Sequence, residues 1–347
     1  MFLRELNEAG PIKRYAFSIC CILFLVPLIS NAQDTASYTR MFRFYYDNDF
    51  INVLGEGTDH QYTGGIRADL YYIKHHDSRF FIDRAMPKAR GQSVNTFGWS
   101  LMQIAFTPDD LTKKQPDVND YPYAGAIFIT HTLHSANPQK KISLQTELLA
   151  GVMGPFSFAK ETQEGIHRWI HYIQPQGWND QMPTDLLLNL NLTAEKMIWN
   201  PHKWFEMQAG ATLFAGTMTD GANIYTQLRF GKMVPYFNGY ISQYGSPRVN
   251  KPHRFQIYIT AKPGLSWTGY YALLDGGIFN GRSDYYKQTE GLTKPYQTDK
   301  HIHPFFDGGL VLSFGKSSLS ITQKIMPPLL QGFDSHAVGN ISFTTCW

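Results

Sequence analysis

From residue 41 to the end, the chain repeats one pattern. Segments of about ten residues alternate apolar and polar side chains, and turn-rich stretches separate them. Side chains two apart share one face of a strand, so each segment offers one apolar and one polar face. No stretch after residue 32 approaches the ~18 consecutive apolar residues of a spanning helix. Together these features point to an all-β chain: a transmembrane antiparallel β-barrel that crosses lipid with strands.

Thirteen segments fit the pattern: 41–49, 61–73, 95–106, 123–133, 142–152, 186–198, 204–214, 224–232, 255–270, 271–286, 305–314, 319–325 and 338–347. Bacterial barrels have even strand numbers, so about 12 are expected. The blurred stretch 255–286 is where the excess belongs. In the last segment Ile341, Phe343, Thr345 and Trp347 alternate with Ser342, Thr344 and Cys346. That suits the closing strand of a barrel; the alternative is the last strand of a soluble sandwich. Polar residues at alternate positions, such as Gln145 and Glu147, should face the lumen.

Composition supports a lipid-facing surface. Aromatic residues make up 15% and charged residues only 17%. Tyr and Trp pair an apolar body with a polar tip and suit membrane interfaces. The net charge of +3 argues against a nucleic-acid partner.

Residues 1–32 read as a secretory signal: Lys13 and Arg14, an apolar core over 15–29, then Ser30-Asn31-Ala32. The apolar run is short for the alternative, a membrane anchor. Removal of 1–32 would take Cys20 and Cys21, leaving Cys346 and no internal disulfide. Residues 33–347 are expected to form one barrel domain and to act as a monomer.

One segment breaks the alternation. Over 157–173, Ile166, Trp169, Ile170 and Ile173 fall at helical spacing, with Ser157 as the expected N-cap. This helix would occupy a long loop, over the barrel mouth or on the membrane surface.

With both termini in the periplasm, odd-numbered strands run outward. Strand counting then brings Asn48, Asp49, Thr63, Lys113, Lys114 and His167 to the extracellular rim. Asp49, Asn48 and Thr63 offer carboxylate, amide and hydroxyl oxygens, which suit calcium. His167 suits a general base, because an imidazole titrates near neutrality. Lys113 and Lys114 suit an anionic headgroup. Each feature also has an ordinary structural reading: an Asx-rich turn, a structural or solvated His with His171 one turn on, a solvated loop. Asp47-Asn48-Asp49 does not continue as an EF-hand, and no G-x-S-x-G or H-E-x-x-H motif is present.

Several ordered motifs carry a resemblance. They are Asn48-Asp49-Phe50, Thr58-Asp59, Tyr62-Thr63-x-Gly65, Thr107-Pro108, Tyr121-Pro122-Tyr123-Ala124-Gly125 and Gly151-Val152-x-Gly154-Pro155. Gln163-x-x-x-His167-Arg168 and Gly177-Trp178-Asn179-Asp180-Gln181 follow. This set resembles the outer-membrane lipid A 3'-O-deacylase family over residues 44–181. The resemblance implies a barrel of about 12 strands. It would hydrolyse the ester of the 3'-linked acyloxyacyl chain of lipid A in lipopolysaccharide, using calcium, with its site toward the outer leaflet. It puts the catalytic set on His167, Asn48, Asp49 and Thr63, the metal on Asp49 and Thr63, and substrate binding on Lys113 and Lys114. The family pattern has Glu six residues after the His and Tyr two further on. Here Ile173 and Pro175 stand there, with Asp180 or Asp185 as candidate replacements for the carboxylate. An outer-membrane phospholipase, or a non-enzymatic pore or adhesin, is the alternative reading.

Overall fold

The computed structural model describes residues 38–48, 61–74, 76, 78–245, 255–289, 298–330, 332–333 and 335–347. The signal segment 1–32 and Asp49 lie outside the described residues.

Twelve strands close into one antiparallel barrel in which each strand pairs with its sequence neighbours and β1 pairs with β12. They are β1 Arg40–Asn48, β2 Gln61–Ile73, β3 Val94–Thr107, β4 Ala124–Asn137, β5 Ile142–Met153 and β6 Asp185–His202. Then come β7 Phe205–Gly216, β8 Thr219–Lys232, β9 Phe255–Tyr271, β10 Ile302–Phe314, β11 Ser317–Met326 and β12 His336–Cys346. No described helix is long and apolar enough to cross a membrane. Closure pairs every strand edge, as lipid requires of backbone it cannot hydrogen-bond. The last residue takes part: Thr39 and Arg40 donate backbone N–H groups to Trp347 O at 3.0 Å.

The alternation sorts the faces as expected. Phe42, Phe44, Leu70, Leu101, Ile129, Leu186, Leu188 and Leu190 point outward and are exposed. Charges point inward and pair. Arg43 Nε and Arg67 Nε each lie 2.6 Å from the Asp69 carboxylate, and Arg67 reaches Glu147 at 3.0 Å. Arg229 meets Glu206 at 2.6 Å, and Lys324 meets Asp47 at 3.1 Å. A buried charge left unpaired costs several kcal/mol, so complementary pairing is what makes this polar lumen tenable.

The segment 271–286 is not a strand. The chain leaves β9 at Tyr271 and forms a short helix, Ala272–Asp275, and later another, Asp284–Thr289. Ala272, Leu273 and Leu274 are all buried, which consecutive strand residues facing lipid and lumen alternately would not be. They join Phe106, Tyr121, Tyr286 and Leu330 in one apolar cluster at the end of the barrel away from the termini. At the opposite end Met41, Tyr71, Ile241 and Cys346 form a second cluster, with Tyr240 and Tyr244 packed on it.

Among the described residues, four α-helices lie in the connections: α1 Phe81–Ala85, α2 Ala159–Ile170, α3 Ala272–Asp275 and α4 Asp284–Thr289. Helix α2 is the anticipated one, in the β5–β6 connection. Its N-cap is Phe158, in the left-handed region at φ 56°, rather than Ser157. Ser157 closes a preceding 3-10 turn, Pro155–Ser157.

Candidate active site

Helix α2 lies against the outer wall of the barrel. The parity of Phe42 and Phe44 carries outward to Tyr46 and Asn48. The parity of Leu101 carries outward to Gln103 and Ala105, and that of Leu70 to Ile66 and Gly64. These outward positions of β1–β3 line one side of a cleft, and Ala159, Thr162, Gln163, Ile166 and His167 of α2 line the other. The cleft holds about 60 Å³ and lies on the lipid side of the wall, at the end opposite the termini.

Gly125 lets the helix come this close. It pairs with Ala105 in the wall, and a Cβ added there would sit 2.2 Å from Ala159 Cβ. Gln103 Nε2 donates to Ser157 O at 2.6 Å, and Gly154 N donates to Gly125 O at 2.8 Å. On the helix, Ala159, Gln163 and His167 are buried, four residues apart on one face. Gln163 Oε1 accepts from Trp178 Nε1 at 2.7 Å and fastens α2 to the chain that follows it. The apolar stripe is not the buried face: Trp169 and Ile173 are exposed. Helix polarity inverts where the surroundings are lipid and the covered surface carries polar groups.

On the wall, Tyr62 pairs with Phe106 and Gly64 with Ala105, so Thr63 is the extra residue of a β-bulge. Its hydroxyl shares a hydrogen bond with Thr107 Oγ1 at 2.6 Å. Asn48 Nδ2 donates to Thr63 O at 3.2 Å, joining β1 to β2 where both reach the cleft. That bond leaves the Asn48 amide oxygen as the acceptor end of the side chain.

His167 is 4% exposed, and its Nδ1 lies 2.5 Å from Ile173 O. A carbonyl has no proton to donate, so Nδ1 carries a hydrogen, and in the neutral ring the lone pair is then on Nε2. The helix end makes this contact. His171 takes a left-handed conformation, φ 56°, and Tyr172 N returns to His167 O at 2.8 Å, which folds Ile173 back. At position 173, then, a backbone oxygen meets the imidazole. Neither Asp180 nor Asp185 borders the cleft. The Asp185 carboxylate instead accepts the N–H groups of Leu186, Phe279 and Asn280.

The structure therefore brings together Asn48, Thr63 and His167. Lys113 and Lys114 share that end of the barrel but do not border the cleft. They belong to the β3–β4 connection, which Gln176 N ties to the segment after α2 through Leu111 O at 2.9 Å. Lys113 is half exposed and lies 3.6 Å from Asp110, whose carboxyl the hydroxyl and N–H of Thr112 hold below the usual range. Burial pushes the Asp120 carboxyl in the same connection upward, against the pull of the Asp109 and Tyr121 N–H groups. The sequence reading missed Gln103 and the Ile173 carbonyl. Gln103 had a signal: it is polar two residues after Leu101, at a position that should face lipid.

The sequence profile of the family described as "Outer membrane protein LpxR" matches residues 17–347. The chain belongs to the LpxR family. Among solved structures, LpxR from Salmonella typhimurium matches with a TM-score of 0.68 at 13% identity, covering 88% of this chain and 100% of that one. At that identity the likeness speaks for the fold. The β domain of the Bordetella autotransporter BrkA matches at 0.42 and 10% identity, over 89% of this chain and 99% of that one. The COG4313 outer membrane channel from Pseudomonas putida F1 matches at 0.43 and 8%, over 92% and 100%. No curated protein matches at the sequence level. Membership supports an outer-membrane lipid A deacylase at the level of the family.

Proposed function

We propose that this LpxR-family chain hydrolyses the ester bearing the 3'-linked acyloxyacyl chain of lipid A, in the outer leaflet, as a single chain. One observation carries the reading. An imidazole of defined tautomer faces Asn48 and Thr63 across a cleft on the lipid side of the barrel wall. A substrate whose acyl chains lie in the bilayer can reach that cleft sideways. The chain fills both barrel ends with its own side chains, which supports placing function on the wall rather than in the lumen.

In this reading His167 Nε2 takes a proton from water as the water oxygen attacks the ester carbonyl. The same proton then passes to the leaving sugar oxygen, and the Ile173 carbonyl holds Nδ1–H throughout. The described wall side chains named for the site offer oxygens: the Asn48 amide and the Thr63 hydroxyl. That set fits calcium rather than a softer ion, and Asn48 and Thr63, with Asp49, would hold it. When bound, calcium supplies positive charge to the developing oxyanion. Lys113 and Lys114 would hold a phosphate of the substrate from the rim. Lys113 would give up only an exposed, solvent-screened contact with Asp110 on doing so.

The test is mass spectrometry of lipid A from cells with and without the chain. His167→Ala should leave a folded barrel and slow acyl release by about 10²–10⁴-fold, the usual share of a general base. Asp49→Ala and Asn48→Ala should also abolish it. Normal processing in these variants would rule the mechanism out.

A further inference from the structure

The β9–β10 connection runs into β10 through Asp299-Lys300-His301-Ile302-His303. Strand β10 begins at Ile302, whose side chain is exposed, so His301 and His303 project to the other side together. Both imidazoles converge on one carboxylate oxygen: His301 Nδ1 lies 2.7 Å and His303 Nε2 3.2 Å from Asp299 Oδ1. Among the described residues, this is the only group of three or more His, Cys, Asp and Glu side chains whose ligand atoms lie within 4.8 Å of one another.

His303 Nε2 is shielded from solvent, and its contact with Asp299 Oδ1 at 3.2 Å is poorly aligned for a hydrogen bond. A buried polar atom left in this state is costly unless something occupies the space before it. The carboxylate is held in place from behind. Asp299 N donates to Leu329 O at 2.8 Å, and the neighbouring Thr298 hydroxyl bonds Asp275 at 2.5 Å.

We propose that Asp299, His301 and His303 bind one divalent transition ion of the zinc type. Two imidazoles and a carboxylate leave the fourth tetrahedral position to water. Bonds of about 2.0–2.2 Å would need the three ligand atoms at roughly 3.4 Å from one another. Small rotations reach that separation, because His301 is 79% exposed. Imidazole donors favour zinc, copper or nickel and disfavour calcium, which takes oxygen. The ion would pin the β9–β10 connection to the first residue pair of β10, beside the β11–β12 connection. The proposal does not depend on the deacylase reading.

The experiment uses the full chain, free of any histidine tag and solubilised in detergent. Zinc chloride is titrated by calorimetry, with thermal unfolding measured in parallel. One zinc per chain should bind and raise the unfolding midpoint, and excess calcium should not displace it. His303→Ala and His301→Ala should each weaken binding by more than the roughly 10–100-fold typical of an outer-shell partner. His301→Ala alters a mostly exposed side chain, so it keeps the test sound if His303→Ala fails to fold. Asn48→Ala should bind zinc like the unaltered chain, whatever it does to lipid A. No zinc binding, or equal binding in both histidine variants, overturns the proposal.

Discussion

At position 173 the chain uses its backbone. Ile173 stands where the family pattern has a carboxylate, yet His167 still has an acceptor for Nδ1–H, because the turn at His171 brings the Ile173 carbonyl to 2.5 Å. A side chain cannot be read into that role from sequence, since any residue at 173 brings the same oxygen. It follows that the Ile173 side chain, half exposed and not part of the cleft lining, should be dispensable. Ile173→Ala should retain acyl release in the lipid A mass spectrum, in contrast to His167→Ala. A loss of activity as deep as that of His167→Ala would mean that the side chain, not the carbonyl, does the orienting. Asn48, Thr63 and His167 were legible as one set because strand counting alone brings their segments to a common rim. The face that Thr63 takes was not legible: as a bulge residue it obeys no alternation.

At the scale of elements, alternation located the strands because lipid outside and charge inside impose opposite demands on successive residues. It failed at 271–286, where the apolar run Ala272-Leu273-Leu274 serves a plug instead of a wall. Helical spacing located α2 but did not say which face is covered; the covered one carries Ala159, Gln163 and His167. The docking of α2 now rests on a single missing side chain. A Cβ at Gly125 would meet Ala159 Cβ at 2.2 Å and Ser157 Oγ at 2.6 Å, distances no packing tolerates. Gly125→Ala should lift α2 from β3–β4, separate His167 from Asn48 and sharply reduce acyl release. Heat-modifiable gel mobility should still report an intact barrel. Adding Ala159→Gly should restore part of the activity, since contacting residues are energetically coupled. Full activity in Gly125→Ala alone would mean that α2 need not touch the wall there.

For the whole molecule, the decisive contrast is between the inside and the outside of the barrel. A twelve-stranded barrel is wide enough for a water-filled lumen unless the chain fills it. Here Leu273, Leu274, Phe106, Tyr121 and Leu330 pack one end. At the other, Tyr240 lies tilted against Tyr71 and accepts a hydrogen bond from Arg43 at 2.7 Å. Between them run the ion pairs of Arg43, Arg67 and Asp69. These groups satisfy one another across the lumen, so opening a passage would strip paired charges at several kcal/mol each. The filled lumen leaves the wall as the surface on offer, and the proposed function uses the cleft under α2 as a lateral site. Reconstituted in planar bilayers, the chain should therefore pass no steady ohmic current, with or without calcium, under conditions where vesicle-borne lipid A is deacylated. A stable conductance of porin size would show that the lumen is a path after all. It would shift the function from the wall to the interior, whatever the geometry of His167.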